Sequence, residues 1–276
     1  MDKMDIDKNS KKSEESDDDD ASKITTVTEI VDVNDKDSEE NDNLYVGAFG
    51  NGQAFLRSTL YKALRENKVL KIKVMLKNTE FPQRPKKLIA ELFQIKDFSG
   101  KNSLVLFTKD DFPSTSYIAV VDYLKANFTF KNLATFESIH HSEYLFIFKF
   151  YFSLVLSNED TRDKIKNKLC NIKNTVQLQQ NKLITGVDFP FPNSVGGFSA
   201  HLLTWAEMNN IPSVCYISVS DYYDICMDSI KIFYSCASTY AVMREKLDEE
   251  YLKMNSVNLK MSVFVQYQTA KNMLYV

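Results

Sequence analysis

Glycine is scarce in this chain, with 7 among 276 residues. Enzymes that hold phosphates or position substrates on tight loops usually need more glycine, since it enters left-handed backbone conformations without steric cost. The sequence also has no G-x-G-x-x-G motif and no P-loop, which are common phosphate-binding patterns. These absences disfavour a nucleotide-dependent enzyme and favour a binding protein.

Cysteine is sparse as well and shows no redox or metal spacing. The four cysteines, at positions 170, 215, 226 and 236, form no C-x-x-C pair. The N-terminus is charged from Asp2 onwards, unlike a secretory leader, and no apolar run reaches the roughly 18 residues that a membrane-spanning helix needs. We expect free, buried thiols, no membrane partner, and a reducing cytoplasmic or nuclear location.

Catalytic and metal-binding patterns are missing too. His140 and His141 are adjacent, and neighbouring residues of a strand point to opposite faces, so they do not form a metal pair. Ser199 and His201 lie two residues apart on a predicted helix, where such positions do not face each other. We therefore expect no catalytic residue, no metal ion and no cofactor.

The basic residues do not predict a nucleic-acid site. The lysine-rich stretches 62–77 and 164–173 interleave lysine with apolar residues at strand or helix spacing, as the solvated sides of amphipathic elements do. A nucleic-acid interface needs a denser basic stripe. We expect no nucleic-acid partner.

Charge is divided unevenly along the chain. Residues 1–43 hold 16 Asp and Glu against 6 Lys, a net charge of −10, and the remaining residues carry +7, which gives the total of −3. The dense acidic charge predicts a disordered tail over residues 1–43, because such a segment buries too little apolar surface to fold. Within it, residues 24–33 alternate apolar and polar side chains, so docking of this segment as a strand is the alternative.

Helical and strand patterns follow one another from residue 44 onwards. Apolar spacing predicts helices at 54–66, 86–93, 117–125, 161–178, 198–209, 224–237 and 240–254. Apolar alternation or short apolar runs predict strands at 69–76, 104–107, 128–136, 145–152, 182–187 and 213–219. Because strands alternate with helices, we predict an α/β fold, a Rossmann-like three-layer α/β/α single domain over residues 44–254. Residues 255–276 are predicted to form a flexible tail.

Residues 183–217 form one β-loop-α-β unit. A strand leads into a proline-bracketed loop, a helix opens at Gly196 and Gly197, and an Ile-Pro turn enters the next strand. A helix N-terminus can bind an anion, but no Lys or Arg occurs between Lys182 and Lys231. We therefore interpret the glycines as close-packing positions rather than as a phosphate site.

The last three residues, Leu274, Tyr275 and Val276, form a candidate partner-binding plug. Leucine offers apolar area, and the tyrosine ring adds a stiff surface with one polar tip. The terminal carboxylate is a unit charge that a lysine or a nest of backbone N–H groups captures. A terminal Leu-x-Val also suits a PDZ groove, which takes a C-terminal strand by β-augmentation, so a PDZ ligand is an alternative.

Two features together resemble the proteasome assembly chaperone family. Residues 183–217 resemble its Thr-Gly strand end, its glycine-led helix with a Trp-Ala-Glu stretch, and its Ile-Pro turn. The terminal residues resemble the hydrophobic-Tyr-any (HbYX) tail that such chaperones and proteasome activators insert between α subunits. The resemblance implies a non-catalytic chaperone of proteasome core particle assembly. It would pair with a homologous second subunit, an assembly chaperone 2 homologue, and dock on the outer face of the α ring through Leu274, Tyr275 and Val276.

An enzyme of the same fold class, nucleoside phosphorylase-like or a hydrolase, is the other alternative. It predicts a cleft with perturbed acids or bases and with phosphate-binding cations. The sequence does not show such a set, so the chaperone interpretation is favoured.

Aromatic residues crowd one stretch of the chain. The group comprises Phe128, Phe130, Phe136, Tyr144, Phe146, Phe148, Phe150, Tyr151 and Phe152. A strand hides only alternate residues on each face, so such runs lie inside a sheet covered on both faces or at an interface. The family resemblance, together with Lys131 and Lys149, favours the interface of an obligate heterodimer. A central strand is the alternative.

Overall fold

The computed structural model describes residues 26–34, 40–96, 101–109, 112–140, 169–179, 186–188, 195–220, 225 and 227–237. The strands are β1 (Thr26–Asp32), β2 (Asn41–Gly47), β3 (Val69–Asn78), β4 (Lys87–Lys96), β5 (Asn102–Thr108), β6 (Phe130–His140), β7 (Leu169–Lys173), β8 (Val187–Asp188) and β9 (Ser213–Ser220). The α-helices are α1 (Asn51–Thr59), α2 (Tyr61–Glu66), α3 (Tyr117–Asn127), α4 (Thr175–Gln179), α5 (Gly197–Met208), α6 (Met227–Ile232) and α7 (Tyr234–Ala237). A 3₁₀ helix, Ser114–Ser116, precedes α3. Among the described helices, none is long and apolar enough to cross a membrane.

The described strands form one mixed sheet in the order β1-β3-β4-β5-β2-β6-β9-β7-β8. Strands β5, β2, β6 and β9 run parallel in its centre. Strands β1, β3 and β4 form an antiparallel wing that joins β5, and β7 pairs antiparallel with β9. Parallel strands need a crossover connection, and α3 provides one between β5 and β6, which lie on either side of β2.

Strand β2 shows how the sheet is covered on both faces. Leu44 and Val46 pack in a core cluster with Val120 of α3 and with residues of α5, whereas Tyr45 packs on the other face with Phe55 of α1. Leu44, Tyr45 and Val46 are each at most 1% exposed. Complete burial of an apolar side chain of this size contributes about 1.5–3 kcal/mol. The predicted three-layer α/β/α fold is therefore confirmed.

Most element predictions agree with the structure. The helices predicted at 54–66, 117–125, 198–209 and 224–237 correspond to α1 with α2, α3, α5, and α6 with α7. The strands predicted at 69–76, 104–107, 128–136 and 213–219 correspond to β3, β5, β6 and β9. Within the strand predicted at 182–187, the structure describes only residues 186 and 187, and β8 begins at Val187. The strand at 145–152 and the helix at 240–254 lie outside the described residues.

The helix predicted at 86–93 is wrong, because this segment belongs to strand β4. Val74 of β3 pairs with Ala90 and Met75 pairs with Leu88, so Ile89 is a bulge residue. The bulge puts Ile89 and Leu92 on the same face of the sheet, where both pack in the cluster with α3. Three-residue spacing on one face is also the helical pattern, and a short buried apolar run does not distinguish the two.

The helix predicted at 161–178 is wrong for residues 169–173, which form strand β7. Leu169 packs in the cluster that includes α1, and the adjacent Cys170 packs with Ile217 on another cluster. Burial of consecutive residues in different clusters follows from the two-residue period of a strand. Residues 175–179 are helical as α4, and residues 161–168 lie outside the described part.

The disorder predicted for residues 1–43 is wrong where β1 and the start of β2 occur. Strand β1 pairs antiparallel with β3 over residues 26–32, and Ile30 packs against the core cluster that contains Val74. Docking of residues 24–33 as a strand, the alternative, therefore holds for 26–32. Strand β2 begins at Asn41 rather than at the predicted boundary of 44. Residues 1–25 and 35–39 lie outside the described residues.

The interface predicted from the aromatic residues is wrong for those that the structure describes in β6. Phe136 is fully buried, and its ring lies 5.3 Å from that of Tyr216 and 5.2 Å from that of Phe55. Phe130 is 9% exposed and packs against Trp205 of α5. Since β6 lies between β2 and β9, these rings belong to a central strand. The aromatic residues at 144–152 lie outside the described residues.

Candidate functional site at the carboxyl ends of the parallel strands

The carboxyl ends of β5, β2, β6 and β9 lie at one edge of the sheet, because these strands are parallel. In open α/β sheets, ligands bind in the crevice outside this edge, where connections from neighbouring strands go to opposite faces. Here α1 follows β2 and packs on one face, whereas α3 follows β5 and packs on the other. The crevice between β2 and β5 is therefore the position that the fold offers to a ligand.

Helix α1 fills this position with its own first turn. The side-chain amide of Gln53 donates to the backbone carbonyl of Thr108 at 3.3 Å, and the backbone N–H of Phe49 donates to Thr108 Oγ1 at 3.1 Å. A methyl group added at Gly47 would lie 2.9 Å from the Gln53 Cα. The backbones of Gly47 and of α1 are thus already in contact at the position where a ligand binds in Rossmann-type folds.

A second feature of this edge is a carboxylate at the start of α5. A methyl group added at Gly197 would lie 4.0 Å from Glu137 Oε1 and 3.8 Å from Tyr117 Oη. A negative side chain beside a helix N-terminus interacts favourably with the helix dipole. Because Glu137 brings its own negative charge there, it disfavours a phosphate group at the same place. The close-packing interpretation of the two glycines is wrong, because a methyl group at Gly196 would meet no atom within 4 Å and one at Gly197 would make only ordinary contacts. Glycine is favoured at position 197 by its φ of +66° instead.

Aromatic rings pack around the ring of Tyr117. The Tyr117 ring lies 5.3 Å from those of Phe112 and Phe198 and 6.2 Å from that of His201. Burial, and then the neighbouring negative charge of Glu137, raise the pKa of Tyr117 above its ordinary value of 10.0. Tyr117 therefore stays protonated at neutral pH and is suited to donate a hydrogen bond rather than to act as a base.

The buried thiol of Cys215 lies in the same region. Burial raises its pKa well above the ordinary range, and the charge of Glu137 adds to this effect, while the neighbouring hydroxyl groups of Thr135 and Ser199 act in the opposite direction. The nucleophilic form of cysteine is the thiolate. A fully buried, protonated Cys215 is therefore suited to packing and poorly suited to attack. Cys170 and Cys236 are likewise buried, as predicted for the cysteines.

Ser199 and His201 make different contacts in the structure. Ser199 is 2% exposed and contacts the Cys215 thiol, whereas His201 contacts the ring of Tyr117. His140 is the last residue of β6, and His141 lies outside the described residues. Within the described ranges, no group of three or more His, Cys, Asp or Glu side chains is arranged to hold a metal ion.

Sequence reasoning missed the cluster of Tyr117, Glu137, Ser199 and Cys215. These residues come from α3, β6, α5 and β9, so their sequence separations follow no local period. These residues come together near the carboxyl ends of the parallel strands because of the order of the strands in the sheet. The sequence holds no direct signal for that order.

The predicted site residues Leu274, Tyr275 and Val276 lie outside the described residues. The structure therefore leaves the partner-binding plug as a prediction. The same holds for the predicted flexible tail over residues 255–276.

No protein-family model matches this sequence, and no curated protein sequence matches it. Solved structures with a similar fold include PbaB from Pyrococcus furiosus, an archaeal proteasome activator, with a TM-score of 0.57 and 11% identity over 87% of this chain and 98% of that chain. PbaA from Pyrococcus furiosus, an archaeal homolog of proteasome-assembly chaperone, has a TM-score of 0.51 and 11% identity over 90% of this chain and 96% of that chain. A Thermoplasma acidophilum protein of unknown function has a TM-score of 0.56 and 13% identity over 87% of this chain and 93% of that chain. The chain therefore shares its fold with an archaeal proteasome activator and with a homolog of proteasome-assembly chaperones.

Proposed function

We propose that this protein is a non-catalytic chaperone of proteasome core particle assembly. It forms a heterodimer with a homologous second subunit and docks on the outer face of the α ring through Leu274, Tyr275 and Val276. The observation that carries the proposal is the combination of a fold shared with PbaA and PbaB and a Leu-Tyr-Val tail. A fold alone does not specify function, so the tail supplies the site-level argument.

The carboxyl-end edge of the sheet supports a binding role over catalysis. Helix α1 occupies the crevice between β2 and β5, and Glu137 adds negative charge beside the α5 N-terminus. A nucleoside phosphorylase-like enzyme needs the opposite, an open crevice with cations for phosphate. The buried, protonated Cys215 also lacks the reactivity of a hydrolase nucleophile.

A three-residue plug has little area, so its own affinity is modest. The partner's tail and the two folded bodies add to it through effective concentration. The predicted flexible tail over residues 255–276 would span about 25 Å as a random coil. That length lets the plug enter a pocket while the folded domain rests on the ring surface.

Co-sedimentation of the full chain, together with its partner subunit, with proteasome core particles and α rings tests the proposal. Deleting Val276 moves the carboxylate inward by one residue, and losing one member of a buried charge pair costs roughly 2–5 kcal/mol. Binding should therefore weaken by at least about tenfold. Tyr275→Phe keeps the aromatic ring and should weaken binding less than Tyr275→Ala. Asn272→Ala, outside the three-residue plug, is the matched control and should bind like the wild type.

Equal sedimentation of the wild-type chain and the Val276 deletion would refute the plug. Capture of the tail by a panel of PDZ domains, with no binding to core particles, would favour the PDZ alternative instead.

A further inference from the structure

Strand β1 is the outermost strand of the described sheet, next to β3. The backbone N–H of Val33 donates to the carbonyl of Lys71 at 2.9 Å, in line with the register that pairs Val31 with Lys73. In an antiparallel pair, consecutive residues turn their N–H and C=O groups alternately towards and away from the neighbour. The groups of Val27, Glu29 and Val31 therefore face β3. Those of Thr28 and Ile30 face the outer edge, and no described strand pairs with that edge.

Side-chain contacts hold this edge in an extended conformation. Ile30 packs against the core cluster on the α3 face. The hydroxyl groups of Thr28 and Ser116 are hydrogen bonded at 2.6 Å, and the Tyr123 hydroxyl donates to the Asp32 carboxylate. The edge is thus ordered before any partner arrives, which lowers the entropic cost of adding a strand.

The opposite face of β1 exposes apolar groups on either side of an acid. Val27 is 51% exposed and Val31 is 37% exposed. Glu29 lies between them in sequence and on the same face, and its carboxylate accepts from Lys86 Nζ at 2.6 Å. Strand β1 contains two acidic residues, Glu29 and Asp32, and no basic one.

On the inner side of the same face, Lys77 and Lys73 of β3 pair with Val27 and Val31, so these positive charges lie towards β3. The outer side of β1 carries Glu29 between two valines. That side therefore complements an extended segment with apolar residues and a positive charge.

We propose that the outer edge of β1 receives a strand of the partner subunit, and that this strand carries a Lys or Arg opposite Glu29, flanked by apolar residues opposite Val27 and Val31. The proposal rests on the proposed function for the identity of the partner. Strand addition of this kind draws affinity from backbone hydrogen bonds and specificity from alternate side chains.

A second copy of this chain fits the edge less well. Two β1 strands that overlap antiparallel over residues 26–32 place Glu29 directly opposite Glu29 of the other copy. Like charges at directly opposed positions destabilise a strand pair. The charge of β1 therefore selects a different, basic strand.

Residue-resolved amide hydrogen exchange of the full chain, alone and co-purified with the partner subunit, tests the geometry. The amides of Thr28 and Ile30 should exchange rapidly in the isolated chain and slow by at least about tenfold in the complex. The amides of Glu29 and Val31 should be protected in both, because they bond to β3.

Three results would overturn the proposal. Protection of Thr28 and Ile30 in the monomeric isolated chain would mean that another part of this chain covers the edge. Protection that appears only on self-association would identify a second copy as the occupant. Unchanged exchange in the heterodimer would place the partner elsewhere.

Matched substitutions test the same contact by affinity. Thr28→Pro removes an outward N–H and adds a ring at the edge, where proline is compatible with pairing to β3. We expect binding of the partner subunit to weaken by at least about tenfold. Ser116→Ala removes the same hydroxyl contact with Thr28 and leaves the edge backbone intact, so its partner binding should equal that of the wild type.

Charge reversal gives an independent variant if Thr28→Pro fails to fold. Glu29→Lys should weaken partner binding by about tenfold, because it opposes the proposed cation. Lys86→Met breaks the same internal ion pair but keeps Glu29, so it should bind the partner like the wild type. Equal binding by Glu29→Lys and Lys86→Met would contradict the charge argument.

Failure of this proposal is distinguishable from failure of the proposed function. If Thr28→Pro binds the partner normally while deletion of Val276 abolishes association with core particles, the edge assignment is wrong and the chaperone function stands. If partner binding depends on Thr28 but the heterodimer does not bind core particles or α rings, the edge assignment stands and the proposed chaperone function is wrong. Absence of any complex between the wild-type chain and the partner subunit overturns both.

Discussion

The parallel centre and the antiparallel wing belong to one sheet but are covered differently. Strand β2 has helices on both faces, and Val46 is 1% exposed. Strand β1 has its core contacts on one face, through Ile30, and leaves Val27 51% exposed on the other. The same residue type in the same secondary structure therefore contributes very different burial energy, because crossover helices cover both faces of the parallel strands whereas antiparallel strands commonly leave one face to solvent.

The largest expected effect lies at the contact between α1 and β6. A methyl group at Gly52 would lie 2.1 Å from the backbone carbonyl oxygen of Phe136. Since backbone on both sides must move, Gly52→Ala should lower the free energy of unfolding by more than about 3 kcal/mol. The matched control is Gly196→Ala, where the added methyl meets no atom within 4 Å and φ is −101°. Thermal or urea unfolding of both variants gives the comparison, and equal stability of the two would refute tight packing at Gly52.

Removal of β1 tests how much the wing depends on its edge strand. A chain that begins at Glu40 loses the ladder with β3, the burial of Ile30 and the hydrogen bond between Thr28 and Ser116. We expect a loss of about 2–3 kcal/mol, or about 4–12 °C in Tm for a domain of this size. A chain that begins at Ile24 should match the full-length protein. Identical Tm values for the two truncated chains would show that β1 adds no stability to the isolated protein.

Matched valine truncations compare the two regions directly. Val46→Ala removes two buried methyl groups from the parallel centre of the sheet. It should lower the free energy of unfolding by about 2 kcal/mol. Val27→Ala removes the same atoms from a half-exposed site and should stay within about 0.5 kcal/mol of the wild type. Urea titration of both variants measures the difference. Similar losses would mean that Val27 is covered in the isolated chain.

The smallest expected effect concerns an ion cluster near the amino end of β2. Hydrogen bonding from Lys101 is the largest cause that lowers the pKa of Asp42; burial opposes it, and hydrogen bonding from Lys131 and the charges of both lysines lower the pKa further. Because the folded-state pKa is depressed, this contribution is present above the unfolded-state pKa of about 3.9 and is lost as pH falls through the lower folded value. Asp42→Asn should lower the free energy of unfolding by less than about 1 kcal/mol at neutral pH. The difference from wild type should shrink in acid and at high salt, and a difference that grows below pH 4 would contradict the assignment.

Local pattern predicted the elements whose packing matches their period. Residues 70–74 alternate apolar and lysine side chains, and residues 198–209 follow the helical period, so strand β3 and helix α5 are present as predicted. Local pattern failed at β4 because the bulge at Ile89 makes a strand imitate helical spacing. It failed at β1 because the acidic charge around residues 26–32 favours disorder in the isolated segment. The strand is stabilised only by pairing with β3, which a local pattern does not reveal.

Composition and pattern alone determined that this chain is an α/β protein rich in buried apolar runs, with an acidic N-terminal segment and a Leu-Tyr-Val end. These properties depend on residue type and on spacing within one element, which the sequence states directly. Only the tertiary structure decided that Glu137 lies beside the start of α5, that Phe136 is a core residue, and that β1 is the outermost strand next to β3 in the described sheet. Each of these depends on strand order, which brings together residues that are distant in sequence and that local periodicity does not relate.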